Sequence, residues 1–393
     1  MDVLELARLQ FALTAGAHFL FVALTLGLAT VIAVLQTRAT VGRSAIHARM
    51  TRFWGRLYVI NYAMGIVTGL VMEFQLGLSW SGLTHFAGNV VGASLAMETL
   101  VAFFVESTFL GLWVFGWDKL NRWAHLAAIW VVTLTAYASA YWILVANGFM
   151  QNPVGAAPGG DGLRLTDAAA VLTNPSTLHA FWHVLTGALV TAGFFLAGVS
   201  AWHLLRRTPE AEFFGRSLRI GVLIAGPALF GSAVTGGLQL QLIQDIQPHK
   251  WAEFSEGSGA ARVGALLMLV TYAAMFFFSL LNALLALSRR VIVTAHLWHV
   301  ALIAAIPLPY VAMISGWVFR EVGRQPWVVD GLLTTQDAVS DLSPSAIRFS
   351  FVTFVTAFAV LIAVNTWLLA RQARRGPDPV APGPEPVTQG VLV

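Results

Sequence analysis

Residues 10–36 read QFALTAGAHFLFVALTLGLATVIAVLQ and contain no Lys, Arg, Asp or Glu. As an α-helix this stretch would extend about 40 Å, more than the ~30 Å hydrocarbon core of a bilayer. Eight further apolar stretches follow it, at about 54–77, 92–116, 124–146, 180–205, 217–240, 261–288, 293–318 and 348–370. Because backbone groups in hydrocarbon must pair within their own segment, the sequence predicts an all-α integral membrane bundle of about nine transmembrane helices.

The composition excludes several classes of protein. Of the 393 residues, 57% are hydrophobic and 11% are charged, whereas soluble domains carry roughly 25% charged residues. The basic residues lie in short loops between apolar stretches, so they indicate topology and not a nucleic-acid partner. Cysteine is absent from the sequence, which excludes disulfides, iron–sulfur ligation and covalently attached c-type haem. Any metal must therefore be held by His, Met or carboxylate.

Lys and Arg residues predict the orientation of the helices. Sixteen of the 23 lie in the loops after helices one, three, five and seven or in the tail, and such residues mark the cytoplasmic side. The N-terminus is thus predicted outside and the C-terminus in the cytoplasm. Residues 1–5 lack a basic signal-peptide region, so we expect the first apolar stretch to be retained. We predict a transmembrane domain over 1–375 and a disordered Pro-rich tail over 376–393.

Several ionisable or metal-ligating side chains from separate helices are predicted at one depth, close to the outer face. Charged groups inside a membrane are costly and usually mark function, so their convergence predicts a redox cofactor site. Neutral imidazole and thioether suit haem iron, and an axial carboxylate leaves the iron open to a small gas. The convergent residues are His18, Glu98, Glu106, His179, His183, Met268, Trp317, Glu321 and Arg324.

Each of these residues taken alone has another interpretation. A single intramembrane His more often forms a helix–helix hydrogen bond than a metal bond, and a single Met usually serves packing. Glu98 and Glu106 could form a proton or cation path without haem, and Glu321 with Arg324 could be an interfacial salt bridge. Only the joint pattern favours the cofactor site.

The chain resembles subunit I of the cytochrome bd-type quinol:oxygen oxidases over nearly its whole length, apart from the tail and the central outer loop. The resemblance implies a terminal oxidase in the bacterial plasma (inner) membrane, paired with a subunit II and with a small accessory single-helix subunit. The matching segments are RLQFALTAGAHFLF (8–21), MTRFWGRLY (50–58), GLVMEFQ (69–75), AMETLVAFFVESTFLGLWVFGWDKL (96–120), WILVANGFMQNP (142–153), IPLP (306–309) and GWVFREVGRQPW (316–327).

The resemblance also implies roles at an oxygen site that holds two haems. His18 would ligate one haem and Glu321 the other, as haem b595 and haem d, or a further haem b in place of haem d. Trp317 would pack between haems, and Arg324 would contact a propionate. Glu98 would lie beside the pair.

Further roles implied by the resemblance concern electrons and protons. His183 and Met268 would ligate the low-spin haem b558, which receives electrons from quinol. Glu106 would carry protons toward the oxygen site. Polar residues that match a proton path from the cytoplasm are Ser107, Ser139 and Asn147.

Two departures from the family pattern concern electron donation. The short outer loop at 241–260 contains QPHKWAEFSEG, in which Lys250 could bind a quinol oxygen and a nearby carboxylate could take its proton. Glu253 and Glu256 flank the expected glutamate position, which holds Ser255. Leu266 stands where the family usually has an arginine, two residues before the methionine ligand.

Three hypotheses follow from these features. The first is a terminal oxidase that oxidises quinol and reduces O2 to water, and that separates charge across the membrane without pumping. The second is a bd-like oxidase with another electron donor, and the third is a haem-free transporter that uses Glu98 and Glu106. The presence of haem iron separates the third from the others.

Overall fold

The protein is described by a computed structural model that covers residues 2–379. This part of the chain contains nine helical segments that are long and apolar enough to span a membrane, which confirms the predicted number. They are Val3–Val41, Ala45–Ser79, Val91–Phe115, Arg122–Gln151, Ala168–Leu205, Ala211–Ile246, Ala260–Leu285, His296–Val322 and Pro344–Arg375. The end of the bundle at which Val3–Val41 begins is called the N-terminal face below.

Sixteen α-helices, one π-helical segment and four short strands make up the described residues. The α-helices are α1 Val3–Val41, α2 Ala45–Ser79, α3 Ser81–Ala87, α4 Val91–Met97, α5 Phe104–Phe115, α6 Arg122–Gln151, α7 Ala168–Leu172, α8 Pro175–Leu205, α9 Ala211–Ile246, α10 Pro248–Ser255, α11 Ala260–Leu285, α12 Arg289–Thr294, α13 His296–Ala304, α14 Leu308–Val322, α15 Thr335–Ala338 and α16 Pro344–Arg375. The π-helix is Glu98–Phe103, and the strands are β1 Ala156–Gly159, β2 Gly162–Leu165, β3 Trp327–Val329 and β4 Leu333–Thr334.

Local chemistry explains where several helices begin. In α1, Asp2 accepts a hydrogen bond from the Glu5 amide while the Glu5 carboxylate accepts one from the Asp2 amide, and this capping box satisfies two free donors. Helices α8, α10 and α16 each start with proline, whose missing N–H costs nothing at the first position. The strands form two antiparallel hairpins, β1–β2 and β3–β4.

Two predicted spans are less regular than expected. Glu98–Phe103 is π-helical, a local widening that hydropathy does not register and that often accompanies function. The stretch predicted as one helix over 293–318 is divided into α12, α13 and α14. The last break falls at residues 305–307 in the IPLP segment, because proline supplies no amide hydrogen to a continuing helix. The predicted loop 241–260 is mostly helical, since it holds the end of α9 and all of α10.

Helices α1 and α8 occupy the middle of the bundle and pack directly on each other. A Cβ at Gly27 would lie 2.1 Å from the Ala188 carbonyl oxygen, so only glycine permits this approach. Helices α8 and α9 meet in the same way, with Gly193 and Gly221 each against the other's backbone. Small residues of this kind are the usual means of close helix packing in lipid.

The predicted C-terminal tail lies largely outside the described residues, which end at 379. Within its first residues, the Asp378 carboxylate accepts hydrogen bonds from both terminal nitrogens of Arg56. This pair connects the start of the tail to α2.

Candidate functional site

A cavity of about 1190 Å³ opens between the spans and is lined mostly by apolar side chains. Its volume exceeds the roughly 300–1,000 Å³ typical of a pocket for one small ligand. It therefore has room for more than one large group. Most of the predicted site residues line it: His18, Glu98, Glu106, Ser139, Asn147, His183, Met268, Trp317, Glu321 and Arg324.

His18 on α1 is oriented by helix α2. Its Nδ1 lies 2.9 Å from the Thr68 hydroxyl, which itself donates to the Met64 carbonyl at 2.9 Å. A hydroxyl has one hydrogen, so toward His18 it presents a lone pair, and the Nδ1 atom carries the proton. The Nε2 atom is then a bare acceptor, the form in which imidazole binds a metal. Gly69 leaves room for the ring, since a Cβ there would lie 3.2 Å from it.

His183 on α8 has the same surroundings. Its Nδ1 lies 3.0 Å from the Thr235 hydroxyl, which donates to the Gly231 carbonyl at 2.8 Å. A Cβ at Gly236 would lie 3.1 Å from the His183 ring. The tautomer argument therefore applies again and leaves Nε2 of this ring free.

The two threonines were missed in the sequence analysis, although a signal for them exists. The tripeptide Val-Thr-Gly occurs at 67–69 and again at 234–236, about fifty residues after each histidine. In both places it supplies the threonine that holds the imidazole and the glycine that makes room for it. The helix pairs α1/α2 and α8/α9 thus carry equivalent histidine sites.

Met268 on α11 lies against a glycine of α14. A Cβ at Gly316 would lie 2.6 Å from the Met268 sulfur, and one at Gly264 would lie 2.7 Å from the Ser315 carbonyl oxygen. These two glycines allow α11 and α14 to pack closely and place the thioether at the cavity wall. Leu266 does not line the cavity and is 47% exposed.

Glu321 is held from two sides at the N-terminal face. Its Oε1 accepts a hydrogen bond from Asn147 at 2.8 Å, and its Oε2 pairs with Arg324 at 2.8 Å. The Arg324 Nη1 atom is buried and has no hydrogen-bond partner among the described residues. Because an unsatisfied buried donor is costly, this nitrogen suits an anionic group in the cavity.

Arg320, which the sequence analysis did not consider, also lines the cavity. Its Nε donates to Asn147 at 2.7 Å, and its terminal nitrogens approach Gln239 and Ser176 at 3.3 and 3.4 Å. The side chain is half-buried in the wall of the cavity. No feature of the sequence around it marked it as part of the site.

Glu98 belongs to a second polar cluster. Its Oε1 accepts a hydrogen bond from Ser139 at 2.6 Å. The Thr99 hydroxyl lies 3.1 Å from the Glu98 Oε2 and 2.5 Å from the Glu73 Oε1. A single hydroxyl between two carboxylates can exchange its hydrogen bond from one to the other. This cluster can therefore hold and pass a proton, and Glu73 and Thr99 are additions to the predicted set.

Glu106 is almost fully buried, at 5% exposure, and lines the same cavity. Its Oε1 has no hydrogen-bond partner among the described residues. The Ser107 hydroxyl instead donates to the Phe104 carbonyl of its own helix at 3.3 Å and does not line the cavity. The polar residues predicted as one path therefore fall into separate groups, with Ser139 beside Glu98 and Asn147 beside Glu321.

The predicted quinol residues lie on α10, outside the cavity lining. Lys250 is 1% exposed, and its Nζ donates to Gln151 and Gln247. Burial, reinforced by the positive charges of Arg320 and Arg324, holds the pKa of Lys250 well below its usual range.

The two predicted carboxylates of this segment do different things. The Glu253 Oε1 accepts a hydrogen bond from the Gly259 amide at 3.0 Å, which closes the turn before α11. Glu256 is exposed at the end of α10.

The donor set fits haem better than a bare metal ion. Among residues 2–379, no three His, Asp or Glu side chains gather closely enough to enclose an ion. His18, His183 and Met268 instead offer single ligand atoms to a large apolar cavity, each over a glycine. Single imidazole and thioether donors at a large apolar cavity suit an iron porphyrin, which they would ligate if it were bound, and the Arg324 nitrogen without a partner in the described part of the chain suits a carboxylate of such a group.

Comparison with known proteins agrees with this chemistry. The family described as cytochrome bd terminal oxidase subunit I matches residues 6–258 and 254–377, nearly the whole chain. The chain belongs to this family. The resemblance inferred from the sequence is thereby confirmed, and the protein is a multi-pass membrane subunit of a terminal oxidase. The family implies haem cofactors and a second subunit.

Members of the bd oxidase family from several bacteria are similar over their full length. The chain is 34% identical to cytochrome bd ubiquinol oxidase subunit 1 of Bacillus subtilis (strain 168), covering 96% of this chain and 95% of that protein. It is 32% identical to cytochrome bd-II ubiquinol oxidase subunit 1 of Escherichia coli (strain K12), covering 96% and 97%. The bd oxidase of Geobacillus thermodenitrificans has the same fold, with a TM-score of 0.87 at 24% identity, covering 96% and 99%.

Proposed function

We propose that this subunit oxidises quinol at the N-terminal face and reduces O2 to water, in the plasma membrane of a bacterium and together with a subunit II. One observation carries the proposal: His18, His183, Met268 and Glu321, from four different spans, line one apolar cavity. The names of the two curated relatives, both ubiquinol oxidases, support the substrate.

The family resemblance divides the ligand residues into two groups. His18 and Glu321 would hold the haems of the oxygen site, and His183 with Met268 would hold the low-spin haem. Bound haems supply one-electron transfer and the binding of O2. The protein fixes the Nε2 atom of each histidine through Thr68 and Thr235 before any haem binds, which reduces the reorganisation that ligation requires.

Proton supply to the oxygen site is assigned to the carboxylates of the third span. Glu106 lies nearer than Glu98 to the opposite end of the bundle, because this span runs away from the N-terminal face. Glu106 would receive protons from that side, and the cluster of Glu98, Ser139 and Thr99 would hold one at the cavity wall. Quinol protons leave at the N-terminal face, so turnover would separate charge across the membrane without pumping.

Quinol deprotonation is assigned to Lys250. A neutral amine has a lone pair that can accept a proton, and the lowered pKa favours this form. Lys250 is joined through Gln151 to the backbone carbonyl of Arg320 in α14, so the quinol segment contacts the helix that carries Glu321. A quinol bound at α10 would thus lie two hydrogen bonds from the backbone of the helix that carries Glu321.

The proposal is tested on the purified two-subunit complex. We expect reduced-minus-oxidised spectra with b-type bands and a band of the oxygen-site haem, and O2 uptake that is driven by added quinol. A colourless complex without iron would reject the oxidase function and favour transport. The variants His18→Ala and His183→Ala should each remove a different spectral component.

A second candidate, a bd oxidase with another donor, is motivated by Glu253, whose carboxylate closes the turn before α11. Lys250→Ala distinguishes the two. Loss of quinol-driven O2 uptake with retention of uptake driven by an artificial one-electron donor favours quinol. Unchanged quinol-driven uptake favours the other donor.

A further inference from the structure

We infer that Arg320 is the positively charged partner of an anionic side group of the low-spin haem, and that it takes the place of the arginine missing at Leu266. This inference rests on the proposed function. It concerns a residue of α14, whereas the family pattern places the arginine on α11.

The charges around Glu321 are not balanced within the protein. Glu321 pairs with Arg324 at 2.8 Å, so its charge is shared with that arginine. Arg320 directs its hydrogen bonds to the neutral side chains of Asn147, Gln239 and Ser176. At the end of α14, two guanidinium groups thus lie beside the single carboxylate of Glu321. Intramembrane cations normally pair with an anion or line a polar path, and this excess of positive charge suits an anionic ligand.

Arg320 lies one helical turn beyond the point where Met268 contacts α14. The Met268 sulfur lies over Gly316, and Arg320 follows Gly316 by one turn on the same face of α14. Helix α14 ends at the N-terminal face, so Arg320 lies about 6 Å nearer to that face than Gly316.

The position relative to His183 is equivalent. The His183 ring lies over Gly236, and Gln239, which Arg320 contacts, follows Gly236 by about one turn of α9. Ser176 precedes His183 on α8 by seven residues, also toward the N-terminal face. The guanidinium is therefore displaced from both ligands in the same direction. An acidic substituent at the edge of a porphyrin held between these ligands would meet it there.

Position 266 itself supplies no charge to the cavity. Leu266 is 47% exposed and does not line the cavity, so this side chain contributes nothing polar to it. Of the arginines that line the cavity, Arg324 is paired with Glu321 and Arg8 lies on α1, so Arg320, one turn from the Met268 contact, can supply the charge.

The test is a redox titration of the low-spin haem in the purified complex. A cation stabilises the ferrous form, so we expect Arg320→Gln to raise the ferric-to-ferrous ratio at fixed potential by roughly tenfold. For a one-electron couple this is a midpoint lower by about 59 mV. Arg320→Lys keeps the charge and should keep the wild-type midpoint. Arg262→Gln is the matched control, because Arg262 lies at the same face on α11, donates to the Gly257 carbonyl and does not line the cavity.

Three outcomes overturn the inference while leaving the oxidase intact: an unchanged midpoint in Arg320→Gln, an equal shift in Arg262→Gln, or a lowered midpoint in Arg320→Lys. If Arg320→Gln loses the haem, the Lys variant decides: haem at the wild-type midpoint supports the inference, and loss of haem overturns it. A wild-type complex without haem would instead reject the proposed function itself.

Discussion

The substitution Thr68→Val tests whether the Thr68 hydroxyl fixes the orientation and the tautomer of His18, because valine keeps the shape of threonine and removes only the hydroxyl. In the wild type that hydroxyl accepts the Nδ1 proton of His18 at 2.9 Å. In the variant this proton is buried without a partner, which costs about 1–3 kcal/mol. The imidazole can avoid this cost by rotating or by moving its proton from Nδ1 to Nε2. Either change removes the Nε2 lone pair that would bind iron.

The loss of haem affinity in Thr68→Val can be estimated from the same contact. Removing an outer-shell partner of a ligating histidine typically lowers metal affinity about 10–100-fold. With about 1.4 kcal/mol for each factor of ten, this equals roughly 1.4–2.8 kcal/mol, which agrees with the desolvation cost of one unpaired donor. Thr235→Val should have an effect of the same size at His183, where the distance is 3.0 Å.

The assay is the rate at which each haem leaves the purified complex for an excess of a haem-free globin, followed by absorbance. Thr68→Val should accelerate loss from the oxygen site, and Thr235→Val should accelerate loss of the low-spin haem. The matched control is Thr135→Val, since Thr135 bonds only its own helix, to the Val131 and Val132 carbonyls. Thr68→Ser, which keeps the hydroxyl, should behave as the wild type.

Equal rates of haem release from Thr68→Val and Thr135→Val would show that the Thr68 hydroxyl does not orient His18. An effect of Thr68→Val on the low-spin haem alone would show the same, because the structure gives Thr68 no contact with His183.

Three further predictions concern other parts of the chain. Gly316→Ala brings a Cβ to 2.6 Å from the Met268 sulfur, so the flexible methionine side chain should move away. The spectrum of the low-spin haem should then become high-spin, while the midpoint of thermal unfolding changes little. Quinol-driven turnover should rise with pH through the lowered pKa of Lys250 as its neutral form appears, and this rise should vanish in Lys250→Arg, which stays protonated. Asp378→Asn should cost less than about 1 kcal/mol of stability, because both side chains of the Arg56 pair are about half exposed. The Arg56 hydrogen bond lowers the pKa of Asp378. In thermal denaturation, the wild type should therefore be more stable than Asp378→Asn at pH values above the usual pKa of aspartate. This difference should disappear as the pH falls through the lowered pKa.

The spans could be predicted because each segment that crosses the bilayer must be apolar and must pair its own backbone groups. Their exact ends could not, since hydropathy records where a helix leaves hydrocarbon and not where its hydrogen bonding stops. Helix α9 continues to Ile246, six residues beyond the predicted 240, through the polar residues Gln241 and Gln244. The π-helical turn at Glu98 was equally hidden, because its extra residue per turn changes no residue type.

The same distinction applies to the site. Ionisable or ligating residues at one depth of a membrane are rare, so their convergence pointed to a site, whereas the choice of His18, His183, Met268 and Glu321 as ligands came from the family resemblance. Their neighbours could not be chosen in this way, since Thr68 and Arg320 acquire meaning only when it is known which helix faces which. Threonine is common in membrane helices, and in the sequence only the tripeptide Val-Thr-Gly, at 67–69 and again at 234–236, separates Thr68 from Thr135.

The three proposed ligands His18, His183 and Met268 share a feature that explains why the neighbours matter. His18 faces Gly69, His183 faces Gly236 and Met268 faces Gly316, each on an adjacent helix. A ligand that has to meet iron at a fixed distance cannot relax freely once the porphyrin is bound, so its position must be determined by the helix behind it. Glycine sets that position by allowing close approach, and for the histidines an adjacent threonine sets the proton. The geometry of the proposed cofactor site is therefore determined largely by residues that are not among its proposed ligands.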